Sequence, residues 1–350
     1  MGSTITIKNK ADGKILKVAV IGAGSMGKNH VRIYSEIEGI ELVGVADTDP
    51  VLLKRINNKY RVAAYTNYLD LIKEQKPDII SLCVPTFLHK KIALDIISEG
   101  IHILIEKPIA SSVEEANEII NAAKKHKIKL MIGHIERFNP AINLLKEKIQ
   151  QGELGKVYKV DVNRVGPLPP RVQDIGVVID LAVHDIDILR YLSDSEPSLI
   201  MAQTEQQIHS NAEDLLAGLI RFNNNMIACL NINWLTPTRI RKLYITGEKG
   251  MYVVDYIKQN LYFYENAAQD PFQERRFVKS AYVSHIKEGK VVRYKINKAE
   301  PLLLELEHFI KCVRENLEPR VTGEDGKHAI SIARNLIESG REHKVIYFDN

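Results

Sequence analysis

Three short segments of this 350-residue chain combine residue types that could carry chemistry. A glycine-rich hexamer, Gly22–Gly27, directly follows an apolar run. Glu106-Lys107-Pro108 follows another apolar run, and further along the chain Asp180 precedes His184 by four residues. A backbone cradle for phosphates, a cation and a carboxylate–imidazole pair are together what the oxidation of an alcohol by a dinucleotide requires.

The glycine hexamer has the spacing of a dinucleotide-binding loop. Gly22 permits a tight turn, Gly24 lets the backbone approach a pyrophosphate, and Gly27 lets a helix pack on the preceding strand. Ser25 and Met26 stand where that helix begins, so its free N–H groups would face the phosphates. The hexamer follows a predicted strand and opens a predicted helix, which is the context that the fingerprint requires.

A carboxylate, Asp47, ends the second predicted strand, twenty residues after Gly27. A carboxylate at this place accepts hydrogen bonds from the ribose hydroxyls of NAD and repels the 2′-phosphate of NADP. The next residues, Thr48-Asp49-Pro50, include no arginine that could receive such a phosphate, and Arg55 comes a helical turn or two later. The sequence therefore predicts NAD as the cofactor in preference to NADP.

Lys107 is a candidate cation for the reacting oxygen. It follows a predicted strand, and the ligands of open α/β sheets bind outside the carboxyl ends of the strands. A cation there stabilises a developing alkoxide. Taken alone, a lysine at this place is more often an ordinary surface residue.

Asp180 and His184 form a candidate acid–base pair. On an α-helix, residues four apart project from one face, and a carboxylate can orient an imidazole and bring its pKa towards neutrality. His184 could then act as general base. Taken alone, such a helical pair is more often a surface ion pair. We reject a metal site here, because no third ligand is identifiable and a catalytic zinc ion requires three.

The first part of the chain alternates strand and helix patterns. The strand-like runs are Leu16–Ile21, Ile40–Ala46, Asp78–Val84, His102–Ile105 and Leu130–Ile132. Helix ends are readable between them: Asp49-Pro50 is an N-cap with proline at the first helical position, Ser111 with Glu114 fits a capping box, and Gly100 ends a helix. This alternation predicts a doubly wound parallel sheet.

The pattern changes after about residue 134. Asn139-Pro140 opens a helix that Gly152 ends. The segments that follow are strands at Tyr158–Val162, Leu216–Phe222 and Met226–Trp234, a hairpin around Glu248–Gly250, and helices at Glu300–Asn316 and Asp325–Ser339. Alternating strands with tight turns predict a mostly antiparallel open sheet. We therefore predict a flexible arm at 1–14, an NAD-binding Rossmann domain at 15–133 and a second α/β domain at 134–350.

Composition argues against several classes of protein. With 45% hydrophobic and 26% charged residues the chain is typical of a soluble globular protein, and a net charge of +4 with interspersed signs does not indicate a nucleic-acid surface. No apolar run approaches the roughly 20 residues that span a bilayer, and the N-terminus lacks an apolar signal core. The three cysteines, Cys83, Cys229 and Cys312, are predicted to be buried thiols in a reducing cytoplasm.

The order of these motifs resembles the glucose–fructose oxidoreductase, inositol dehydrogenase and MocA family. The similar features, from about Lys17 to Tyr347, are the glycine hexamer, Asp47, Pro85-x-x-x-His89, Glu106-Lys107-Pro108 and Asp180-x-x-x-His184. The resemblance implies that the second domain has a large open antiparallel sheet and serves in substrate binding and oligomerisation. A homodimer or homotetramer is expected, with no nucleic-acid or membrane partner.

The resemblance also implies roles for individual residues. Lys107 would bind and polarise the reacting hydroxyl, His184 would be the general base, and Asp180 would help to orient substrate and imidazole. The residues implied to line the nicotinamide end of the cofactor are Pro85, Thr86, His89, Glu106 and Lys107.

A finer resemblance concerns Gly133–Pro140 and Asp180–Asp187, which are similar to the branch of UDP-N-acetylglucosamine 3-dehydrogenases. Those enzymes oxidise the sugar 3-hydroxyl so that an aminotransferase can install a 3-amino group. A UDP-sugar substrate is thereby implied, and the residues expected to contact it, besides Lys107, Asp180 and His184, are His134, Arg137 and Arg164. Arginine binds phosphate oxygens bidentately. Arg171 and Arg239-Ile240-Arg241 are further candidates, although each of these arginines could equally be a solvated surface residue.

Two alternatives stay open. The first keeps the reaction and changes the substrate to inositol, a free sugar or a UDP-sugar uronic acid; inhibition by UDP would separate a nucleotide sugar from a free polyol. The second is a non-catalytic NAD-sensing regulator on the same fold, since fold alone does not establish activity. The presence of Lys107, Asp180 and His184 and the lack of an appended DNA-binding segment favour an enzyme.

Overall fold

The computed structural model describes residues 15–169, 175–208, 212–267 and 288–348. The predicted arm at 1–14 and Arg171 lie outside the described residues. The chain forms two compact units. The first unit runs to Gly133 and takes in Leu306–Gly323, and the second comprises His134–Glu305 and the chain from Glu324 onward.

The first unit is built on a six-stranded parallel sheet. Its strands are β1 (Leu16–Ile21), β2 (Ile40–Ala46), β3 (Ala63–Tyr65), β4 (Ile79–Leu82), β5 (His102–Glu106) and β6 (Leu130–Gly133). Its helices are α1 (Gly27–Tyr34), α2 (Pro50–Tyr60), α3 (Tyr68–Gln75), α4 (His89–Ser98) and α5 (Val113–His126), with a short 3-10 helix at Thr86–Leu88. The strand order is β3-β2-β1-β4-β5-β6, which confirms the predicted doubly wound Rossmann fold.

Local signals explain where these helices begin and end. The Asp49 carboxylate accepts from the backbone N–H groups of Val51 and Leu52 at 2.8 and 3.2 Å, and Gly100 adopts a φ of 73°, as predicted. The predicted capping box was wrong by one residue. Because α5 begins at Val113, it is the Ser112 hydroxyl that accepts from the N–H of Glu115, at 3.2 Å.

The second unit carries a nine-stranded mixed sheet. Its strands are β7 (Val157–Pro167), β8 (Pro197–Glu205), β9 (Leu215–Phe222), β10 (Ile227–Asn233), β11 (Leu235–Gly247), β12 (Gly250–Asp255), β13 (Asn260–Asn266), β14 (Glu288–Arg293) and β15 (Ile346–Tyr347). Its order is β14-β13-β12-β11-β7-β10-β9-β8-β15, and all neighbours are antiparallel except β7 and β10. The predicted mostly antiparallel sheet is thus confirmed.

Helices pack on one face of this sheet. They include α6 (Pro140–Gln150) and α7 (Val183–Ser193), with a 3-10 helix at Ile135–Phe138 and a π-helix at Val178–Ala182. Residues that share the core between helices and sheet are Ile142, Leu145, Ile186 and Leu189 from the helices and Val160, Val162, Leu243 and Ile245 from the strands. Alternation along β7 and β11 therefore directs every second side chain towards the helices.

The last helices are α8 (Pro301–Arg314) and α9 (Gly323–Glu342). The sequence assigned residues 306–323 to the second domain, whereas the structure groups them with the first unit. Two contacts give the reason: the Ile132 N–H of β6 donates to the Val321 carbonyl at 3.2 Å, and Lys129 Nζ lies 2.7 Å from a Glu318 carboxylate oxygen. The returning segment is therefore bonded at the β6 edge of the parallel sheet.

Among the described residues, no helix has the length and apolar character that a membrane crossing requires. Cys312 is buried, but Cys83 and Cys229 are only partly buried, which corrects the prediction for those two thiols. Cys83 directly follows the last residue of β4. Cys229 lies on the face of β10 that points away from the apolar core.

Candidate active site

The glycine loop joins β1 to α1. At two of its glycines, neighbouring backbone atoms leave no room for a side chain. Gly22 has a φ of +87°, and a Cβ there would lie 2.6 Å from the Cys83 carbonyl oxygen. A Cβ at Gly27 would lie 1.8 Å from the Gly22 carbonyl oxygen. Both positions therefore exclude any side chain.

Gly24 differs from these two glycines. A Cβ there would meet nothing within 4 Å, and the residue is exposed. The protein's own atoms do not require glycine at this place, so the space fits a group that must approach the backbone closely, such as the pyrophosphate of NAD. The exposed Ser25 follows, and Met26 at the N-cap of α1 makes no side-chain capping bond within the described chain, which leaves the helix start open to an anion.

Asp47 is held beside this loop. One carboxylate oxygen accepts from the Ala23 N–H at 2.6 Å, and the other accepts from the Asp49 N–H at 2.9 Å. Each carboxylate oxygen can accept a second hydrogen bond, so these contacts orient Asp47 without exhausting it. The geometry fits the ribose contact that the sequence predicts.

Asp47→Asn tests the predicted cofactor preference, because it keeps the side-chain shape and removes the charge. We expect NAD affinity to fall about 10- to 100-fold, as for the loss of a hydrogen bond to a charged group, and the preference for NAD over NADP to narrow. Titration with NADH and NADPH, followed by fluorescence, measures both. Asp70→Asn, an exposed change on α3, is the matched control. An unchanged ratio of the two affinities would refute the role of Asp47.

The segment after β4 leads to His89, which is buried at the start of α4. Exposed Pro85 and partly buried Thr86 precede it. The His89 ring places Nε2 at 2.9 Å from the Val84 carbonyl oxygen and Nδ1 at 3.0 Å from that of Pro108. Burial lowers the pKa of His89, and the carbonyl hydrogen bonds oppose that shift. His89 therefore ties the loop after β4 to the loop that carries Lys107, and its contact with cofactor stays a prediction.

Lys107 follows β5 and is partly buried, with a cis peptide bond to Pro108. Its neighbour Glu106 is buried, and one carboxylate oxygen lies 2.8 Å from Nε2 of the fully buried His30. His30, Cys83 and Glu106 bring possible ligand atoms within 4.8 Å of one another. Such a set could hold a metal ion. The hydrogen bond between His30 and Glu106 explains, without a metal ion, why two of its three members lie together.

The second unit places His134, Asp180 and His184. The rings of His134 and His184 are nearly perpendicular, at 88°, with centroids 6.3 Å apart. His134 and Asp180 are buried, whereas His184 is partly buried. The sequence predicts one regular helix through Asp180 and His184, but Asp180 lies in the π-helix that precedes α7. Such widened turns occur frequently at functional sites.

Arg164 and Arg137, predicted to bind substrate, are both engaged by carboxylates. Arg164 is fully buried, with Nε 2.5 Å from Asp185 and Nη1 3.2 Å from Glu136. Burial opposes its charge, but the two carboxylates outweigh burial and raise the pKa of the guanidinium. Arg137 donates to both oxygens of Asp187, at 2.8 and 2.6 Å.

This pairing argues against Arg137 and Arg164 as phosphate ligands. An anion would have to displace carboxylates from buried ion pairs, and breaking such pairs is strongly unfavourable. The sequence did not reveal Asp187 as a partner of Arg137, or Glu136 and Asp185 as partners of Arg164. A signal was present, since α7 carries Asp185 and Asp187 among apolar residues, and buried carboxylates require cationic partners.

Two family descriptions match most of the chain. Residues 16–134 match an oxidoreductase family domain described as an NAD-binding Rossmann fold. Residues 146–348 match the C-terminal alpha/beta domain of the same oxidoreductase family. The first match contains the glycine loop, Asp47 and Lys107, and the second contains Asp180 and His184.

One relative with a named activity is similar to the chain in sequence and in structure. The chain is 30% identical over 253 residues to UDP-N-acetylglucosamine 3-dehydrogenase from Acidithiobacillus ferrooxidans, covering 72% of this chain and 78% of that protein. A solved structure of that dehydrogenase, GnnA, superposes with a TM-score of 0.80 at 25% identity over 93% of this chain and 97% of that one.

Two further proteins match the chain over most of its length. Myo-inositol 2-dehydrogenase from Thermotoga maritima is 24% identical over 344 residues, covering 94% of this chain and 98% of that protein. The WlbA dehydrogenase from Bordetella pertussis, solved with NADH and UDP-GlcNAcA, has a TM-score of 0.81 at 21% identity over 96% of this chain and 98% of that one.

Proposed function

Because the chain belongs to the GFO/IDH/MocA family of oxidoreductases, we propose that it catalyses the NAD-dependent oxidation of a sugar secondary alcohol. The proposed substrate is UDP-N-acetylglucosamine, oxidised at the 3-hydroxyl to a 3-keto sugar that a 3-amino-sugar pathway would consume. The observation that supports this substrate is the 30% identity to the Acidithiobacillus enzyme over 72% of the chain.

The first unit supplies the residues for the cofactor and for the reacting oxygen. Bound NAD would accept two electrons and the hydrogen of the breaking C–H bond. Gly24 and Ser25 would hold its pyrophosphate and Asp47 its ribose. The Lys107 ammonium would donate to the reacting hydroxyl and stabilise the negative charge that develops on it. His89 positions the Lys107 loop through the Pro108 carbonyl.

The second unit supplies the proposed base. His184 would take the hydroxyl proton, and Asp180 would orient the imidazole and the sugar. His134, whose ring meets that of His184 edge to face, would limit how the imidazole turns and contact the sugar. Towards the reacting hydroxyl, Lys107 would thus act as hydrogen-bond donor and His184 as proton acceptor.

The family resemblance further supports a homodimer or homotetramer. The face of the nine-stranded sheet opposite the apolar core carries a cross-strand row of apolar side chains. Members of that row are Met201, Leu219, Cys229, Tyr244 and Val253, and the charged Asp161 interrupts it between Cys229 and Tyr244. Met201 is 48% exposed, so this face has apolar surface that a second copy could cover.

A substrate panel tests the proposed function. The protein is mixed with NAD and UDP-N-acetylglucosamine, its uronic acid, UDP-glucose or myo-inositol, with removal of the keto product because alcohol oxidation by NAD is unfavourable at neutral pH. We expect UDP-N-acetylglucosamine to give the fastest NADH formation and UDP to inhibit it. Turnover of myo-inositol that is indifferent to UDP would establish the inositol alternative instead. Binding of NAD without turnover of any alcohol would favour a regulator.

A further inference from the structure

The core face of the second unit changes from apolar to cationic along two paired strands. The cross-strand pairs on this face are Val160 with Ile245, Val162 with Leu243, and Arg164 with Arg241. Side chains of such pairs stand side by side on one face of a sheet. Arg241 therefore continues the helix-covered face, next to Arg164 and one step beyond the apolar pairs.

The two arginines of the last pair differ in their partners. Arg164 is fully buried and bonded to Asp185 and Glu136. Arg241 is partly buried, and within the described part of the chain its guanidinium forms no hydrogen bond or ion pair. An arginine has five N–H donors in a planar fork. As far as the described residues show, this fork at Arg241 is available to an incoming anion, because Arg164 already engages Glu136 and Asp185.

Arg239 adds a second cation on the same face of β11. It is exposed, and a Cβ at Gly166 would lie 3.2 Å from its Cγ. The missing side chain at Gly166 lets the stem of Arg239 lie across β7. Burial and the neighbouring charges of Arg164 and Arg239 lower the pKa of Arg241, whereas Glu136 and Asp185 oppose that shift. A bound anion would relieve the repulsion between these cations.

Ion pairs of Arg164 connect this cationic end of the face to the segments that carry the proposed base and His134. Asp185, bonded to Arg164, directly follows His184 in α7, and Glu136, also bonded to Arg164, is two residues after His134. The two ion pairs of Arg164 thus connect the segments that carry His184 and His134 to the end of the sheet where Arg241 lies. A sugar held at His184 would have its phosphates within reach of the same region of the second unit.

We propose that Arg241, assisted by Arg239, binds the diphosphate of a nucleotide-sugar substrate. This inference rests on the proposed function and deepens it, since it transfers diphosphate recognition from Arg137 and Arg164 to Arg241. A partly buried guanidinium binds phosphate oxygens bidentately and more strongly than a fully solvated one. Arg239, being exposed, contributes less.

Calorimetric titration of the NAD-loaded protein with UDP and with uridine tests the inference. For Arg241→Gln we expect UDP affinity to fall about 10- to 100-fold, as for loss of a charge-assisted bidentate contact, with uridine affinity nearly unchanged. Arg241→Lys should lose less, because it keeps the charge without the fork. Arg221→Gln, an exposed change on β9 of the same sheet, should bind UDP like the wild type.

Kinetics provide an independent readout. Arg241→Gln should raise KM for the nucleotide sugar and leave kcat largely intact, since the diphosphate is remote from the reacting carbon. Wild-type UDP affinity in a folded Arg241→Gln protein would overturn the inference and leave the proposed function standing. Failure of the wild type to bind UDP would overturn both. Arg241→Gln could fail to fold, as judged by circular dichroism and NADH binding. In that case Arg241→Lys decides: a UDP affinity below that of the wild type supports the inference, and wild-type UDP affinity overturns it.

Discussion

Lys107→Ala is expected to lower kcat by about 10²- to 10³-fold, the usual effect of removing a group that stabilises a developing oxyanion. NAD affinity should change little, because the ammonium interacts mainly with the reacting hydroxyl. The kcat is measured from the rate of NADH formation at saturating sugar, and NADH affinity from fluorescence titration.

Lys91→Ala is the matched control for this change. Lys91 is an exposed lysine on α4 in the same unit, so its removal should leave both kcat and NADH affinity unaltered. Retention of most activity by Lys107→Ala, with the control behaving as the wild type, would show that this ammonium does not stabilise the reacting oxygen.

His184→Ala is expected to lower kcat by about 10²- to 10⁴-fold at neutral pH, as for the loss of a general base. The loss should shrink as pH rises, because hydroxide can then take the hydroxyl proton, and added imidazole should restore part of the activity. A merely structural histidine would show neither effect.

His343→Ala controls for the loss of a histidine from the second unit. His343 is exposed, and its Nδ1 lies 2.9 Å from the Gln203 side-chain oxygen, outside the proposed machinery. A His184→Ala variant that kept the wild-type pH–rate profile would contradict the assignment of His184 as base, whatever its residual kcat.

The fold could be predicted from the sequence because its signals are local. Alternating strand and helix patterns, the Asp49 cap and the glycine hexamer each lie within one element or at one turn, and the structure and the family match confirm the Rossmann fold that they predicted. Of the three glycines in the hexamer, only Gly24 leaves open space, and its contact with the pyrophosphate stays a prediction.

The carboxylate partners of Arg137 and Arg164 could not be predicted, because they are remote in sequence. Arg137 is bonded to Asp187 and Asp325, 50 and 188 residues away, and Arg164 to Asp185, 21 residues away. No spacing rule connects such positions, so a basic residue near a predicted site could not be told from half of a buried ion pair. Arg241 became distinguishable only through its register opposite Arg164.

Two further differences have the same origin. Residues 306–323 return to the first unit, where Val321 accepts a hydrogen bond from β6. No local sequence pattern predicts this contact. The π-helix around Asp180 inserts a wider turn into a segment whose composition is that of an ordinary helix.

Isotopic transfer tests the central claim most directly. The protein is mixed in a single turnover with NAD and UDP-N-acetylglucosamine that carries deuterium at C3, and the reduced nicotinamide is analysed by mass spectrometry. We expect the deuterium to appear in the nicotinamide and its transfer to be slower than that of protium from the unlabelled sugar. Reduced nicotinamide without deuterium, or none formed while the protein binds both ligands, would contradict it.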